Sequence, residues 1–160
     1  MSIQIGQPAP DFTLYSSDKT KIALSDYRGK NVVLLFFPFA FSSVCTAELC
    51  SVRDNMNSFS TLEAQIAGIS VDSLYALARF KAEQNLDFPL LSDFNKQVSK
   101  AYDVLYENFS YGMQGVSKRS AFVIDKEGIV QYAEVLENPG EQPNLTAIQQ
   151  TLSQFMVDVR

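Results

Sequence analysis

The chain has 160 residues, 46% of them apolar, with two cysteines, no histidine and a net charge of −5. This length suits one domain spanning 1–160 with a core that needs no disulfide staples, and the apolar share excludes a disordered chain. The acidic balance, with its lysines scattered, argues against nucleic acid or an anionic membrane surface as a partner, because both select for clustered basic residues.

The opening segment MSIQIGQPAPDFTL lacks the basic start and long apolar stretch of a secretory signal. No window approaches the roughly 18 uninterrupted apolar residues of a membrane span. A soluble cytoplasmic protein is the expectation.

Along the chain, DFTLY and KIALSDY flank the polar turn SSDKT and read as a hairpin. The run from Asn31 to Phe37 is too continuously apolar for a half-exposed strand and reads as a buried central one. From Val44 the period changes: Leu49, Val52, Met56 and Phe59 recur at helical spacing among Glu48, Arg53 and Asp54, which predicts an amphipathic helix starting at or just before Cys45. AQIAGISVD is another buried strand, and SLYALARFKAEQN reads as a helix with Ser73 as its N-cap. The stretch YENFSYGMQGVSKR mixes aromatics with glycines and reads as a long functional surface loop. SAFVID and IVQYAEV, joined by KEG, read as antiparallel neighbours, and Leu145, Ile148, Leu152 and Phe155 form one stripe of a last helix after Pro143. The order ββ, β-α-β-α, ββα fits an α/β fold of the thioredoxin-like kind. This is a three-layer sandwich with a mixed central sheet, helices on both faces and an N-terminal β-hairpin.

The absence of histidine removes several chemistries. Structural zinc prefers four Cys or His ligands, and two thiols alone make such a site improbable. Histidine-based nucleophilic triads are impossible. A thiol here must be polarised by a cation, a helix terminus or hydrogen bonds. The segment PFAFSSVC supplies such a setting. A strand ending near Phe37 and turning through Pro38 delivers a helix N-terminus to Cys45, where unpaired backbone N–H groups and the helix dipole favour a thiolate. Ser42 places a hydroxyl in the same turn, able to donate to the sulfur or to a bound oxygen. Pro38 stiffens the loop without adding an N–H. The plain reading of Cys45 is a small buried hydrophobe, as most intracellular cysteines are.

The spacing Pro38-x-x-x-Ser42-x-x-Cys45 resembles the active-site signature of the peroxiredoxins. IGQPAPDFTL, LSDYRGKNVVLLFFP, CTAELCSVRD, RSAFVIDKEGIV and YAEVLENPGE resemble peroxiredoxin segments in the same order, so the similarity covers nearly the whole chain. FFPFAFSSVC and AEVLENPGE are similar to the E-type alkyl hydroperoxide reductases, and a second cysteine five residues after the first is similar to the Q-type, or bacterioferritin comigratory, group. Ser42 stands where many members carry threonine, which keeps the hydroxyl and frees its first torsion.

The resemblance implies a thiol-dependent peroxidase that reduces hydrogen peroxide and organic hydroperoxides with no metal or organic cofactor. Cys45 would be the peroxidatic cysteine and pass through a sulfenic acid. Arg119 would match the family's active-site arginine, holding thiolate and peroxide oxygen together. Glu48 would orient that arginine, although an acid in a first helical turn is also favourable for itself. Cys50 would resolve the sulfenic acid as an intramolecular disulfide, recycled by thioredoxin, a glutaredoxin-like protein or a low-molecular-weight thiol. On an ideal helix five residues separate two Cα atoms by about 8.6 Å, beyond the roughly 7 Å that a disulfide spans. The helix would have to unwind first. Alternatively Cys50 is an apolar packing residue and an external thiol resolves.

A homodimer packed through loops around the site is the expectation from the E-type likeness, with a monomer as the alternative. PFAF and the aromatic loop from Tyr106 to Tyr111 hint at organic hydroperoxides. Two other classes stay open. One is a thiol–disulfide oxidoreductase, for which Cys-x-x-Cys is the usual spacing; the other is a non-catalytic redox sensor, which would have no need of Pro38, Ser42 and Arg119 together.

Overall fold

Every position of Asn31–Phe36 (β3) is buried, and this strand is the centre of the fold. The structure, a computed structural model, describes residues 3–138 and 140–158, with the backbone alone from 155 onward. The hairpin strands are β1 (Thr13–Ser16) and β2 (Lys21–Ala23), paired with Thr13 opposite Ala23. After β3 come helices α1 (Ser43–Asp54) and α2 (Met56–Thr61), strand β4 (Ala64–Ser70), helix α3 (Leu74–Gln84), strand β5 (Leu90–Ser92) and helix α4 (Gln97–Ala101). Strands β6 (Leu105–Tyr106), β7 (Val116–Ser117), β8 (Ser120–Ile124) and β9 (Val130–Val135) lead to helix α5 (Leu145–Asp158).

Among the described residues, seven strands form one sheet in the order β2-β1-β5-β4-β3-β8-β9. β3, β4 and β5 run parallel, while β8 is antiparallel to β3 and β9 to β8. Alternate residues of β3 feed two separate cores, as strand pleating requires. Val33 and Leu35 pack with Leu49 and Val52 of α1, Phe59, Leu77, Phe80, Ile148 and Leu152. Val32, Leu34 and Phe36 pack with Leu24, Val98, Tyr102 and Val104 on the other face. Helices therefore cover both faces of a mixed sheet, as the thioredoxin-like reading requires, but unequally: α1, α2, α3 and α5 lie on one side and α4 on the other. No helix among the described residues is long and apolar enough to cross a membrane.

Ser73 caps α3 as expected, its Oγ accepting the Ala76 N–H at 3.2 Å. The expected continuous helix through Phe59 is broken at Asn55, whose side chain donates to the Ser51 carbonyl at 2.7 Å. This local side-chain bond competes with helix propagation. The stretch from 106 to 119 is less irregular than expected, because β6 and β7 pair across it with Leu105 opposite Ser117. β5 and α4 were not legible as elements: β5 has three residues, and α4 has five and is started by the Asp93 carboxylate, which accepts the N–H groups of Val98 and Ser99 at 3.1 and 2.6 Å. Pro38 has no N–H for the ladder, and β3 ends one residue earlier than predicted. In the last helix Ile148 and Leu152 are in the core as the stripe requires, and Phe155 lies outside the described side chains.

Candidate active site

β3 and β4 end at the same edge of the sheet, and β8, running antiparallel, begins there. The carboxyl ends of parallel strands are where open α/β sheets place their ligands. Three segments converge at this edge: the loop 37–42 with the start of α1, the residues after β4, and the residues before β8.

Ser42 occupies the N-cap position of α1 with extended backbone, and its carbonyl accepts the Thr46 N–H at 2.9 Å. Cys45 is the third residue of the helix, inside the first turn, where backbone N–H groups have no helical partner. Its side chain is fully buried. Arg119 Nη1 donates to Cys45 Sγ at 3.2 Å and to Glu48 Oε1 at 2.8 Å. Glu48 follows Cys45 by three positions, which puts both side chains on one face of α1. With exposures of 2% for Arg119 and 1% for Glu48, this is a desolvated ion pair, for which loss of either partner is costly.

The arginine is held by its own backbone. Its N–H bonds the Tyr106 hydroxyl, which in turn donates to the Leu136 carbonyl at 2.8 Å, and the Leu136 N–H donates to the Arg119 carbonyl at 2.9 Å. The sequence marks Tyr106 only as the start of an aromatic loop. It ties that loop to the cation at the site, and its ring packs 5.6 Å from that of Phe109, which stands edge-on to Phe39 at 5.9 Å.

Electrostatics follow from this burial. Desolvation works against charge on Arg119, but the Cys45 sulfur and Glu48 outweigh it and hold its pKa above the ordinary value. Burial pushes the Glu48 carboxyl up to about 7 against the pull of Arg119, and Glu134 adds to the rise. Glu48 Oε2 is buried without a hydrogen-bond partner among the described residues. The arrangement sets a fixed cationic donor against the sulfur and presents it to whatever oxygen approaches there.

The structure thus brings Cys45, Glu48 and Arg119 into contact and sets Pro38 at the entrance of the loop. Ser42 faces differently from the expectation: its Oγ donates to the Phe39 carbonyl at 3.0 Å, closing the loop on itself. Cys50 stands apart from the cluster, partly buried, with its Sγ donating to Gln84 Oε1 at 3.3 Å. Sequence reasoning missed Asp72, whose Oδ2 accepts the Ala40 N–H at 2.7 Å. Its signal was a carboxylate at the carboxyl end of a buried strand, in SVDS.

Residues 5–133 match the AhpC/TSA family. The chain belongs to the AhpC/TSA peroxiredoxin family. This peroxiredoxin is 44% identical over 130 residues to peroxiredoxin Bcp of Bacillus subtilis, an alignment covering 80% of this chain and 82% of that one. It is 38% identical over 142 residues to alkyl hydroperoxide reductase E of Mycobacterium bovis, with 87% and 89% covered. Among solved structures, peroxidoxin BcpB from Mycobacterium tuberculosis matches with a TM-score of 0.85 at 30% identity, over 95% of this chain and 97% of that one. Both likenesses read from the sequence, to alkyl hydroperoxide reductase E and to the bacterioferritin comigratory group, have a counterpart among these relatives. As a peroxiredoxin, the chain is a thiol-dependent peroxidase acting on a peroxide with a thiol as reductant.

Proposed function

We propose that Cys45 is the peroxidatic thiol, with Arg119, Glu48, Ser42 and Pro38 composing its site, and that Cys50 resolves the intermediate. The observation that carries this reading is the single guanidinium nitrogen held between Cys45 Sγ at 3.2 Å and Glu48 Oε1 at 2.8 Å. A surface cation would have no reason to be buried against a thiol.

The Cys45 thiolate attacks the peroxide oxygen distal to carbon. The S–O bond forms as the O–O bond breaks, and the departing alkoxide or hydroxide takes up a proton to leave as alcohol or water. Arg119 steadies charge on both sulfur and oxygen as it moves between them. Glu48 holds the guanidinium in line. The Ser42 hydroxyl, released from Phe39 by rotation about its first torsion, donates to the bound peroxide. The Cys50 thiol then attacks the sulfenic sulfur, water leaves, and a thioredoxin-type reductant, a glutaredoxin-like protein or a small thiol reduces the disulfide. The aromatic surroundings of Phe39, Phe109 and Tyr106 favour organic hydroperoxides as well as hydrogen peroxide. A homodimer through the loops near the site is supported by the exposed rings of Phe41 and Tyr111 and by Met113.

One observation favours a second reading. The Cys50 thiol is hydrogen-bonded to α3 and not turned toward Cys45, as suits a one-cysteine enzyme resolved by an external thiol. The deciding experiment treats pre-reduced protein with one equivalent of peroxide and maps the product by mass spectrometry. The first reading expects a Cys45–Cys50 cross-link and no reaction in Cys45→Ser; a product keeping one free thiol supports the second.

A further inference from the structure

The loop 37–42 is tied to the sheet at few points. The Phe37 N–H donates to the Ile69 carbonyl at 3.0 Å, and midway along the loop the Ala40 N–H donates to Asp72 Oδ2 at 2.7 Å. Asp72 is itself fixed from two strands. Ser70 Oγ donates to the same Oδ2 at 2.7 Å, the Asp72 N–H donates to Ser70 Oγ at 3.2 Å, and Ser92 Oγ donates to the Asp72 carbonyl at 2.6 Å. A carboxylate accepting short bonds from a backbone N–H and a hydroxyl is among the stronger anchors available to a loop.

What the anchor holds is the cover of Cys45. Ala40 is buried in the same cluster as Phe37, Cys45 and Leu49. Phe41 next to it lies in the left-handed region at φ +70°, a conformation that costs an aromatic residue on the order of 1 kcal/mol or more and persists only where neighbours enforce it. On one side the enforcing contact is the Phe41 ring, edge-on to Phe80 at 5.1 Å. On the other it is the bond from Ala40 to Asp72. Ser42 and the first turn of α1 follow directly. A change at Asp72 therefore reaches the sulfur through Ala40 and Phe41 without the carboxylate touching a reacting atom.

We propose that Asp72 is a positioning residue for the reaction of Cys45 with peroxide: through Ala40 its carboxylate sets the loop that aligns the peroxide and covers the sulfur. This rests on Cys45 being the peroxidatic thiol. The role belongs to the hydrogen-bond acceptor, so an amide oxygen in the same place serves equally.

The test uses the full chain in a Cys50→Ser background, so that oxidation stops at the sulfenic acid. Two rates are measured for Asp72, Asp72→Ala and Asp72→Asn: consumption of one equivalent of hydrogen peroxide, and alkylation of Cys45 by iodoacetamide. Asp72→Ala is expected to slow the peroxide reaction about 10- to 100-fold, the scale of a misplacement of about 1 Å. Alkylation, which needs exposure and no alignment, is expected to speed up several-fold. Asp72→Asn keeps both rates within about 3-fold, since its single oxygen can accept both donors. Ser70→Ala, which removes one bond that aims the carboxylate, moves both rates in the same senses by smaller factors and serves where Asp72→Ala folds poorly. Equal peroxide rates in Asp72→Ala and its parent, or both rates falling together, overturn the proposal, as does an Asp72→Asn variant as impaired as Asp72→Ala. A parent protein that consumes no peroxide overturns the reading of Cys45 itself and the proposal with it.

Discussion

Cys45 and Cys50 stand on one unbroken helix, α1, and face different partners: the first meets Arg119 before β8, the second meets Gln84 at the end of α3. Five helical positions set their Cα atoms about 8.6 Å apart, and a disulfide spans at most about 7 Å. With Cys50 as the resolving thiol, one equivalent of peroxide should give a species with no free thiol, and because the two Cα atoms must first close up, that species should show less far-UV helical circular dichroism. Cys50→Ser should keep full helix, remain trappable by a dimedone-type reagent and overoxidise more readily. A disulfide formed with no loss of helical signal would contradict this geometry.

Gln84 holds the Cys50 half of α1 in place twice over. Besides accepting from the thiol, it accepts Arg53 Nη1 at its carbonyl at 2.6 Å, satisfying a carbonyl that the end of α3 leaves without a helical partner. Gln84→Ala removes the first bond and leaves the second. A net hydrogen bond is worth about 1 kcal/mol, so disulfide formation after oxidation should accelerate about 5-fold, followed by quenched-flow thiol trapping. An unchanged rate would mean that the Cys50 contact opens before the slow step.

Arg119→Ala takes away the donor shared by Cys45 and Glu48 and leaves a carboxyl buried alone. The second-order rate with hydrogen peroxide should fall about 100- to 1000-fold, as on loss of a preorganised donor at an oxyanion site. Arg119→Lys should recover little of it, because an ammonium offers no planar fork. Stopped-flow measurement on pre-reduced protein reads both, and wild-type rates in Arg119→Ala would move the catalytic cation elsewhere.

Glu48 has its carboxyl raised to about 7 by burial, against about 4.3 in an unfolded chain. A raised carboxyl means the fold prefers the neutral acid. Its contribution is complete below about pH 4.3 and is lost as pH climbs through about 7. Relative to Glu48→Gln, whose side chain stays neutral, the wild type should lose up to about 4 kcal/mol over that window and stay level above it. Urea unfolding of both proteins from pH 4 to pH 8 checks this. A wild type that gains on the variant as pH rises would show that the pull of Arg119 exceeds the cost of burial.

Gly68, in the middle of β4, sits where an added Cβ would meet Leu90 Cδ2 at 2.8 Å and Phe37 Cε1 at 3.3 Å. Gly68→Ala should therefore destabilise by about 1–3 kcal/mol through overpacking. Because Phe37 opens the loop toward Pro38, the same variant should also slow the peroxide reaction. Chemical denaturation and stopped-flow kinetics separate the two effects.

Much of this candidate site is legible in the sequence. Continuous apolarity after Asn31 marked the run to Phe37 as a buried central strand, because a strand covered on both faces has little room for polar side chains, and the strand formed is Asn31–Phe36. The change of period after Val44 located a helix N-terminus next to a cysteine, and the motif supplied Glu48 and Arg119. The rest depended on contacts that no local pattern announces. Asp72 acts on Ala40 across 32 positions, and Tyr106, at the end of β6, acts on Arg119 through its hydroxyl. Asn55 ends α1 by a side-chain bond that hydrophobic periodicity cannot see. β5 is three residues of strand, too short to alternate, and depends on β4 and β1 for its definition.

Arg119 enters the site one residue before the start of β8, whose register with β3 sets Ser120 opposite Phe36. A slip of one residue would turn the guanidinium to the other face of the sheet, and a slip of two would carry it about 6.8 Å away. The donor of the central hydrogen bond is thus gauged by the β3–β8 ladder, every position of which is buried, and the amide protons of such a ladder are expected to exchange with solvent only on near-global opening. Its acceptor stands in the first turn of α1, where exchange through local opening is the expectation for a helix end. One bond would then join two parts of the protein with different opening lifetimes, the thiol leaving the cation and returning while the cation keeps its place.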